Sequence, residues 1–328
     1  MELVQLGRSD LRVSRVGLGC NNFGGRIDLD ATRSVVDAAL DAGVTFFDTA
    51  ELYGGGDSER FLGEILDGRR ERAVIATKFG WGSDVGDGRP ETLRAAIRGS
   101  LERLRTDYVD LYYLHKADPS TPIADTLRAL NELVDAGTVR AIGCSNFSAA
   151  QLAEADRVAQ ELGVARFEAV QNRYSLLERG DDEVVLPLCR ELGISYVPYF
   201  PLASGLLTGK YLRGQPAPPG TRLEGRPVED ERFERVETLA AFAAERGHTV
   251  LELAIGALAS TPGIGSVIAG ATRPEQVRAN ADAGAWHLTP AERDELERLG
   301  WSDLIDLSSA RRRTRGETAR RSRREETR

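Results

Sequence analysis

The chain predicts a single α/β domain, an eight-stranded (β/α)8 TIM barrel preceded by an N-terminal β-hairpin. Three observations lead there. Short apolar runs alternate with longer amphipathic stretches, the pattern of repeated βα units around a parallel sheet. Eight such runs can be counted, and units of this number and length close naturally into a barrel. A doubly wound open sheet shows the same alternation, but no Gly-rich dinucleotide turn follows the first strand. A length of 328 residues suits one barrel, and 41% hydrophobic residues supply a large core.

Taken in order, residues 3–18 read as two alternating segments around the turn Gly7-Arg8-Ser9-Asp10, a hairpin placed to plug the barrel bottom. The strands are expected at 15–20, 45–50, 73–79, 109–115, 139–145, 169–173, 195–201 and 266–270. Val74-Ile75-Ala76 and Val267-Ile268-Ala269 are continuous apolar cores, as strands buried on both faces require. Between them, Asp30 is placed to cap a helix ending at Gly43, and Ser148 one ending at Gly163. Residues 214–228, rich in Pro and Gly, are too long and irregular for a plain connection and read as a flap over a ligand. The domain is expected to span 1–310. Residues 311–328 carry nine Arg against three Glu and are expected to form a disordered, dispensable tail.

Charge and composition narrow the function classes. The formal net charge is -8, of which the tail contributes +6, so residues 1–310 carry -14. An acidic body repels a phosphate backbone, which argues against nucleic acid as partner. It also mildly disfavours anionic substrates. No run approaches the roughly 20 apolar residues of a membrane span. The start Met1-Glu2-Leu3-Val4 lacks the basic and apolar regions of a signal peptide, and Cys20, Cys144 and Cys189 are too scattered for a disulfide framework or zinc site. A cytoplasmic protein without metal is the expectation. No heptad or apolar stripe indicates an oligomeric state.

Barrel enzymes build their sites at the C-terminal ends of strands, so polar residues there merit a chemical reading. Asp48 ends the second expected strand and Tyr53 follows it, Lys78 ends the third, and His115 closes the fourth. Reduction of a carbonyl leaves negative charge on oxygen, which a nearby proton donor must quench. A phenol titrates near 10, and a neighbouring ammonium brings it down, while a carboxylate fixes the ammonium. Tyr53, Lys78 and Asp48 supply that set. A neutral His115 would donate a hydrogen bond to the carbonyl oxygen. Of three histidines only His115 ends a strand; His248 and His287 read as structural.

Several motifs carry a family resemblance. Phe47-Asp48-Thr49-Ala50-Glu51-Leu52-Tyr53-Gly54, Thr77-Lys78, Asp107-Tyr108-Val109-Asp110-Leu111 leading to Leu114-His115, and Gly143-Cys144-Ser145-Asn146-Phe147 stand in the expected order. Together they resemble the aldo-keto reductases, over residues 3–299. The resemblance implies a nicotinamide cofactor held without a Rossmann domain, and a catalytic tetrad of Asp48, Tyr53, Lys78 and His115. It implies that Ser145, Asn146 and Gln171 hold the nicotinamide carboxamide and that Tyr199 stacks on its ring. The run 201–210, with Leu202, Ser204, Gly205, Leu207 and Lys210, resembles the pyrophosphate loop. Gly270, Thr272, Arg273, Gln276 and Asn280 resemble the adenosine-phosphate site, where a guanidinium favours NADP(H) over NAD(H). Two positions depart: many relatives carry arginine where Thr272 stands and serine where Phe200 stands.

The implied reaction is reduction of an aldehyde or ketone with hydride from nicotinamide C4 and a proton from Tyr53. The same tetrad serves an aldose or alcohol dehydrogenase running oxidatively with NAD(P)+, and a barrel of this family can also act as a non-catalytic, cofactor-binding regulatory subunit. A metal-dependent hydrolase lacks ligands here, and a short-chain dehydrogenase would need its Gly-rich turn after a strand, whereas Gly263-Ile264-Gly265 precedes one. The partner is therefore a small carbonyl or alcohol substrate. Phe23, Trp81 and residues 214–228 are the expected pocket, an aromatic rim favouring neutral aldehydes over phosphorylated sugars.

Overall fold

The computed structural model describes residues 1–82 and 84–299. The tail expected at 311–328 lies outside the described residues. The first strands, β1 (Leu3–Gln5) and β2 (Arg12–Ser14), pair antiparallel with Leu3 opposite Ser14. Their turn needs Gly7, at φ +58°, where an added Cβ would stand 2.3 Å from the Glu168 carbonyl oxygen. Leu6, Leu11 and Val13 of this hairpin pack against inward-facing Ala76, Leu111, Tyr113 and Val197, closing the barrel floor as expected.

The barrel strands are β3 (Val16–Gly19), β4 (Phe46–Asp48), β5 (Val74–Phe79), β6 (Val109–Leu114), β7 (Val139–Ser145), β8 (Phe167–Arg173), β9 (Ser195–Tyr199) and β10 (Val267–Gly270). All neighbours are parallel, and β10 pairs with both β9 and β3, so the sheet has no edge. Each lies within two residues of its expected position. Closure divides the apolar residues into two cores, one inside the barrel and a larger one between sheet and helices.

Helices α1 (Leu29–Asp41), α2 (Asp57–Ile65), α3 (Pro90–Leu104), α4 (Ile123–Asp135), α5 (Ala149–Leu162) and α6 (Val185–Leu192) each return the chain to the next strand. The helix α5 starts at Ser148, reinforced by Gln151 in a reciprocal capping box, and stops at left-handed Gly163, as the sequence predicts. The cap of α1 is Asp28, which accepts from Ala31 N–H, and not Asp30. The helix starts earlier, and Asp30 falls in its first turn, where a negative charge suits the positive end of the helix dipole. Between β9 and β10 lie α7 (Asp230–Ala244) and α8 (Val250–Ala259), and α9 (Pro274–Ala283) and α10 (Pro290–Arg298) complete the described chain. Among the described residues no helix is long and apolar enough to cross a membrane.

Candidate active site

The C-terminal ends of β4, β5 and β6 bring Asp48, Lys78 and His115 to one rim. Tyr53 joins them from a short 3-10 turn, Tyr53–Gly56, in which Gly54, Gly55 and Gly56 all take positive φ. At Gly54 an added Cβ would meet the Phe23 carbonyl oxygen at 2.6 Å, so a glycine there is what lets the turn approach.

Lys78 is 1% exposed and Asp48 3%. An unpaired charge at that depth would be very costly, so the pair is closed. Lys78 Nζ donates to Asp48 Oδ1 and Oδ2 at 2.7 and 2.8 Å and to the Thr49 carbonyl at 2.8 Å. Burial pulls the ammonium's pKa down, but Asp48 and then Tyr53 more than offset this and leave it above its ordinary value. The lysine stays charged.

The phenol corrects one expectation. Burial pushes Tyr53 up, Lys78 pulls it down, Asp48 opposes Lys78, and the net value lies above the ordinary 10. The expected fall does not occur in the resting site, because burial of the phenol outweighs the pull of the Lys78 ammonium, which Asp48 further offsets. Tyr53 is therefore held as a protonated donor. The Lys78 ammonium lies 5.2 Å from its ring centroid.

His115 follows β6, held by its N–H to the Phe79 carbonyl at 2.8 Å. Its ring lies edge-on to Tyr53 at 6.2 Å between centroids and 4.7 Å from Trp81. Burial and the Lys78 charge push its pKa down to about 3, so the imidazole is neutral. Its Nδ1 is buried without a hydrogen-bond partner.

These groups open on a cavity of about 670 Å³ that runs along the strand ends to α9. Its wall includes every residue expected at the site except Lys78, Leu207 and Phe23. Lys78 stands behind Asp48, and Leu207 is fully buried. Phe23, expected to face substrate, is instead 0% exposed in the core between sheet and helices, because apolar contact there outweighs a place on the rim. Trp81 is on the rim, 51% exposed.

The amide groups are locked to one another. Gln171 Nε2 donates to Asp48 Oδ1 at 2.8 Å. Asn146, at φ +58°, donates to the His115 carbonyl at 3.0 Å and to Ser145 Oγ at 3.1 Å, and accepts from Tyr199 OH at 2.8 Å. After Tyr199, the residues Phe200, Ala203, Ser204 and Gly205 all have positive φ. Such a run is strained for L residues and recurs where backbone is shaped for a ligand. Lys210 packs into it: a Cβ on Gly205 would stand 2.8 Å from its Nζ. Thr272 and Gln276 are joined through the Gln276 carbonyl oxygen at 2.8 and 3.1 Å.

Sequence reasoning missed Asn21, Asn22 and Arg26 in this wall, reached Arg222 only as one of residues 214–228, and took Phe200 only as a departure. The segment read as a flap does border the cavity through Gly220, Thr221 and Arg222. Arg222 reaches over to Asn22 Oδ1 at 3.0 Å and Asn21 Oδ1 at 3.3 Å, and Arg26 donates to the Gly220 carbonyl at 2.5 Å. An arginine inside a Gly/Pro-rich flap was the available signal.

A model described as the aldo/keto reductase family matches residues 15–300. Among curated proteins, the chain is 38% identical over 299 residues to a probable voltage-gated potassium channel subunit beta of Oryza sativa subsp. japonica, covering 86% of this chain and 91% of that protein. It is 36% identical over 295 residues to the uncharacterized oxidoreductase YrpG of Bacillus subtilis (strain 168), covering 85% and 89%. Among solved structures it is similar to the aldo-keto reductase AKR11C1 from Bacillus halodurans (holo form), with a TM-score of 0.76 and 31% identity over 92% of this chain and 96% of that one.

Proposed function

The chain belongs to the aldo/keto reductase family, and we propose that it is an NADP(H)-dependent reductase of aldehydes and ketones, with Tyr53 as its proton donor. The observation that carries this reading is a protonated phenol, a salt-bridged ammonium and a neutral imidazole meeting at one cavity. The family uses nicotinamide cofactors and acts on small carbonyl substrates. The residues present fit such a cofactor: the cavity is within the usual size of cofactor sites, and the left-handed run at 203–205 puts Ser204 and Gly205 on its wall beside Lys210.

When bound, the cofactor supplies hydride from nicotinamide C4 to the carbonyl carbon. In this reading Ser145, Asn146 and Gln171 hold the carboxamide, and Tyr199 faces the ring. Leu202, Ser204, Gly205 and Lys210 take the pyrophosphate. Gly270, Thr272, Arg273, Gln276 and Asn280 take the adenosine end, and Arg222 straps the cavity from above. Tyr53 gives its phenolic proton to the carbonyl oxygen, Lys78 stabilises the phenolate that remains, and Asp48 keeps Lys78 charged and in place. Neutral His115 donates a hydrogen bond to the same oxygen and orients it. The three cysteines, all free and buried, suit a reducing cytoplasmic setting.

Nicotinamide absorbance with NADPH and an aldehyde panel tests the reading. Tyr53→Phe is expected to lower kcat/KM by about 10²–10⁴ with cofactor affinity retained; a variant as active as the parent would overturn the role. Turnover only with alcohols and NADP+ would reverse the assigned direction. The name of the Oryza sativa relative favours a second reading, a regulatory cofactor-binding subunit, which tight cofactor binding without any turnover would establish. NADPH is expected to bind more tightly than NADH, with the preference shrinking in Arg273→Ala, as measured by fluorescence quenching.

A further inference from the structure

The turn that carries Tyr53 runs straight into α2, and the first turn of that helix is tied to the ends of β3, β4 and β5. Ser58 and Glu59 are both 0% exposed. Ser58 Oγ donates to the Cys20 carbonyl, just past β3, at 3.0 Å, which leaves Thr49 as the donor in the 2.8 Å bond between Thr49 Oγ1 and Ser58 Oγ. The carbonyl of the same Thr49 accepts from Lys78 Nζ at 2.8 Å. Glu59 Oε1 accepts from Thr77 Oγ1 at 2.5 Å, and Thr77 precedes Lys78 on β5, so the two side chains leave opposite faces of the sheet. Glu59 Oε2 accepts from Arg103 Nε, on α3, at 2.7 Å. Arg103 in turn lies against the Tyr53 turn: a Cβ on Gly56 would stand 3.0 Å from its Cδ. The two helices are in close contact here, since a Cβ on Gly63 of α2 would meet the Arg103 carbonyl oxygen at 2.5 Å.

We propose that Glu59, held by Arg103, is a positioning residue that sets the Tyr53 phenol against the Lys78 ammonium, a role that rests on Tyr53 being the proton donor. Stability alone is a poor account of the pair. Taking a carboxylate fully out of water can cost more than its ion pair returns, and here the guanidinium is itself 23% exposed. Apolar residues of similar volume often serve such a place as well or better. What they would lose is direction: one oxygen of Glu59 holds the strand of Lys78, and the other holds the helix that backs the Tyr53 turn. That turn contains Gly54, Gly55 and Gly56, all at positive φ, and glycines hold a backbone conformation only weakly by themselves. Its place has to be imposed from outside. Neither Glu59 nor Arg103 is part of the cavity wall, so both act through Tyr53 and Lys78 rather than on a reacting atom. The pull of the ammonium on the phenol falls with their separation, and a donor misplaced by about 1 Å costs up to about 10²-fold in rate.

Labelling the full chain with 3-fluorotyrosine gives a fluorine resonance for each of its eight tyrosines, and the one missing from Tyr53→Phe reports on Tyr53 without cofactor or turnover. That resonance is expected to move in Glu59→Gln and in Arg103→Met, and to return toward the parent position in Arg103→Lys, which keeps the cation. It should stay in place in Asp110→Asn, which breaks a different buried ion set, with Arg70 and Arg140. In aldehyde reduction with NADPH, kcat is expected to fall roughly 10- to 10²-fold in Glu59→Gln and Arg103→Met, with KM and NADPH affinity held within about twofold. The solvent deuterium isotope effect on kcat should exceed the parent's, because proton transfer from a displaced phenol is slower, and Arg103→Lys should recover most of the loss. A Tyr53 resonance that stays at the parent position in both Glu59→Gln and Arg103→Met overturns the proposal, as does an unchanged kcat per folded molecule. If Glu59→Gln does not fold, the Arg103 variants decide alone, and equal kcat in Arg103→Met and Arg103→Lys overturns it. A parent that reduces no carbonyl would instead strike the reductase reading, and the resonance by itself would then decide whether Glu59 places Tyr53.

Discussion

Two buried ion sets occupy opposite ends of the same barrel. At the C-terminal end, Asp48, bonded to Lys78 and to Gln171, lines a cavity. At the N-terminal end, Asp110, 1% exposed, is held by Arg70 at 2.7 Å, Arg140 at 2.9 Å and the Ile75 N–H at 2.9 Å. Both guanidinium carbons also lie 4.3 Å from the Tyr108 ring centroid. Both oxygens of Asp110 are engaged, and it takes no part in the wall of that cavity. The C-terminal set adjoins a protonated Tyr53 and a His115 whose Nδ1 has no partner. Burying a charge therefore does not identify a site. What sets the C-terminal carboxylate apart is the cavity it lines together with Tyr53 and His115.

The sharpest way to break that comparison is to neutralise each carboxylate. Asp48→Asn is expected to lose at least about 10²-fold in turnover together with about 3–5 kcal/mol of stability, because it leaves Lys78 buried and unpaired. Asp110→Asn should lose stability of the same order while the folded fraction keeps its kcat. Denaturant melts alongside kinetics decide, and a fall in kcat per folded molecule in Asp110→Asn would erase the distinction. A second pair sharpens it among the aromatics. Phe23→Ala is expected to cost about 3–5 kcal/mol by opening a core cavity. Trp81→Ala should leave stability within about 0.5 kcal/mol and instead change KM for aromatic aldehydes.

A pH slope reads the same site. The folded pKa of His115 is depressed to about 3 from an ordinary 6.5. Between those values the unfolded chain binds a proton that the folded one refuses, so this contribution to stability is present above 6.5 and is lost as pH falls toward 3. Urea melts of the parent and His115→Gln across that window should differ in slope by no more than one proton. Parallel slopes would mean that the imidazole is charged in the folded state.

Much of the fold was legible because it depends on period. Val74-Ile75-Ala76 must be a strand buried on both sides, and Ser148 with Gln151 and Gly163 frames α5 with local hydrogen bonds alone. The cap of α1 was misplaced by two residues because Asp28 and Asp30 offer the same chemistry and only the backbone, extended at Asp28, chooses between them. Phe23 was misread because an aromatic residue after a strand looks the same in sequence whether it faces the core or the rim. Asn22 was missed because its partner Arg222 stands 200 residues away in the chain, a distance no local pattern spans.

The residues themselves determined the barrel, its floor-closing hairpin and the candidacy of Asp48, Tyr53, Lys78 and His115, since each follows from the two-residue strand period and the rule that strand ends face one rim. Only the tertiary structure decided which way the phenol's proton equilibrium leans, that Phe23 belongs to the core, and that Asn22 and Arg222 meet over one cavity. Those outcomes are set by burial and by distances between segments remote in sequence, and both come into being only when the barrel closes.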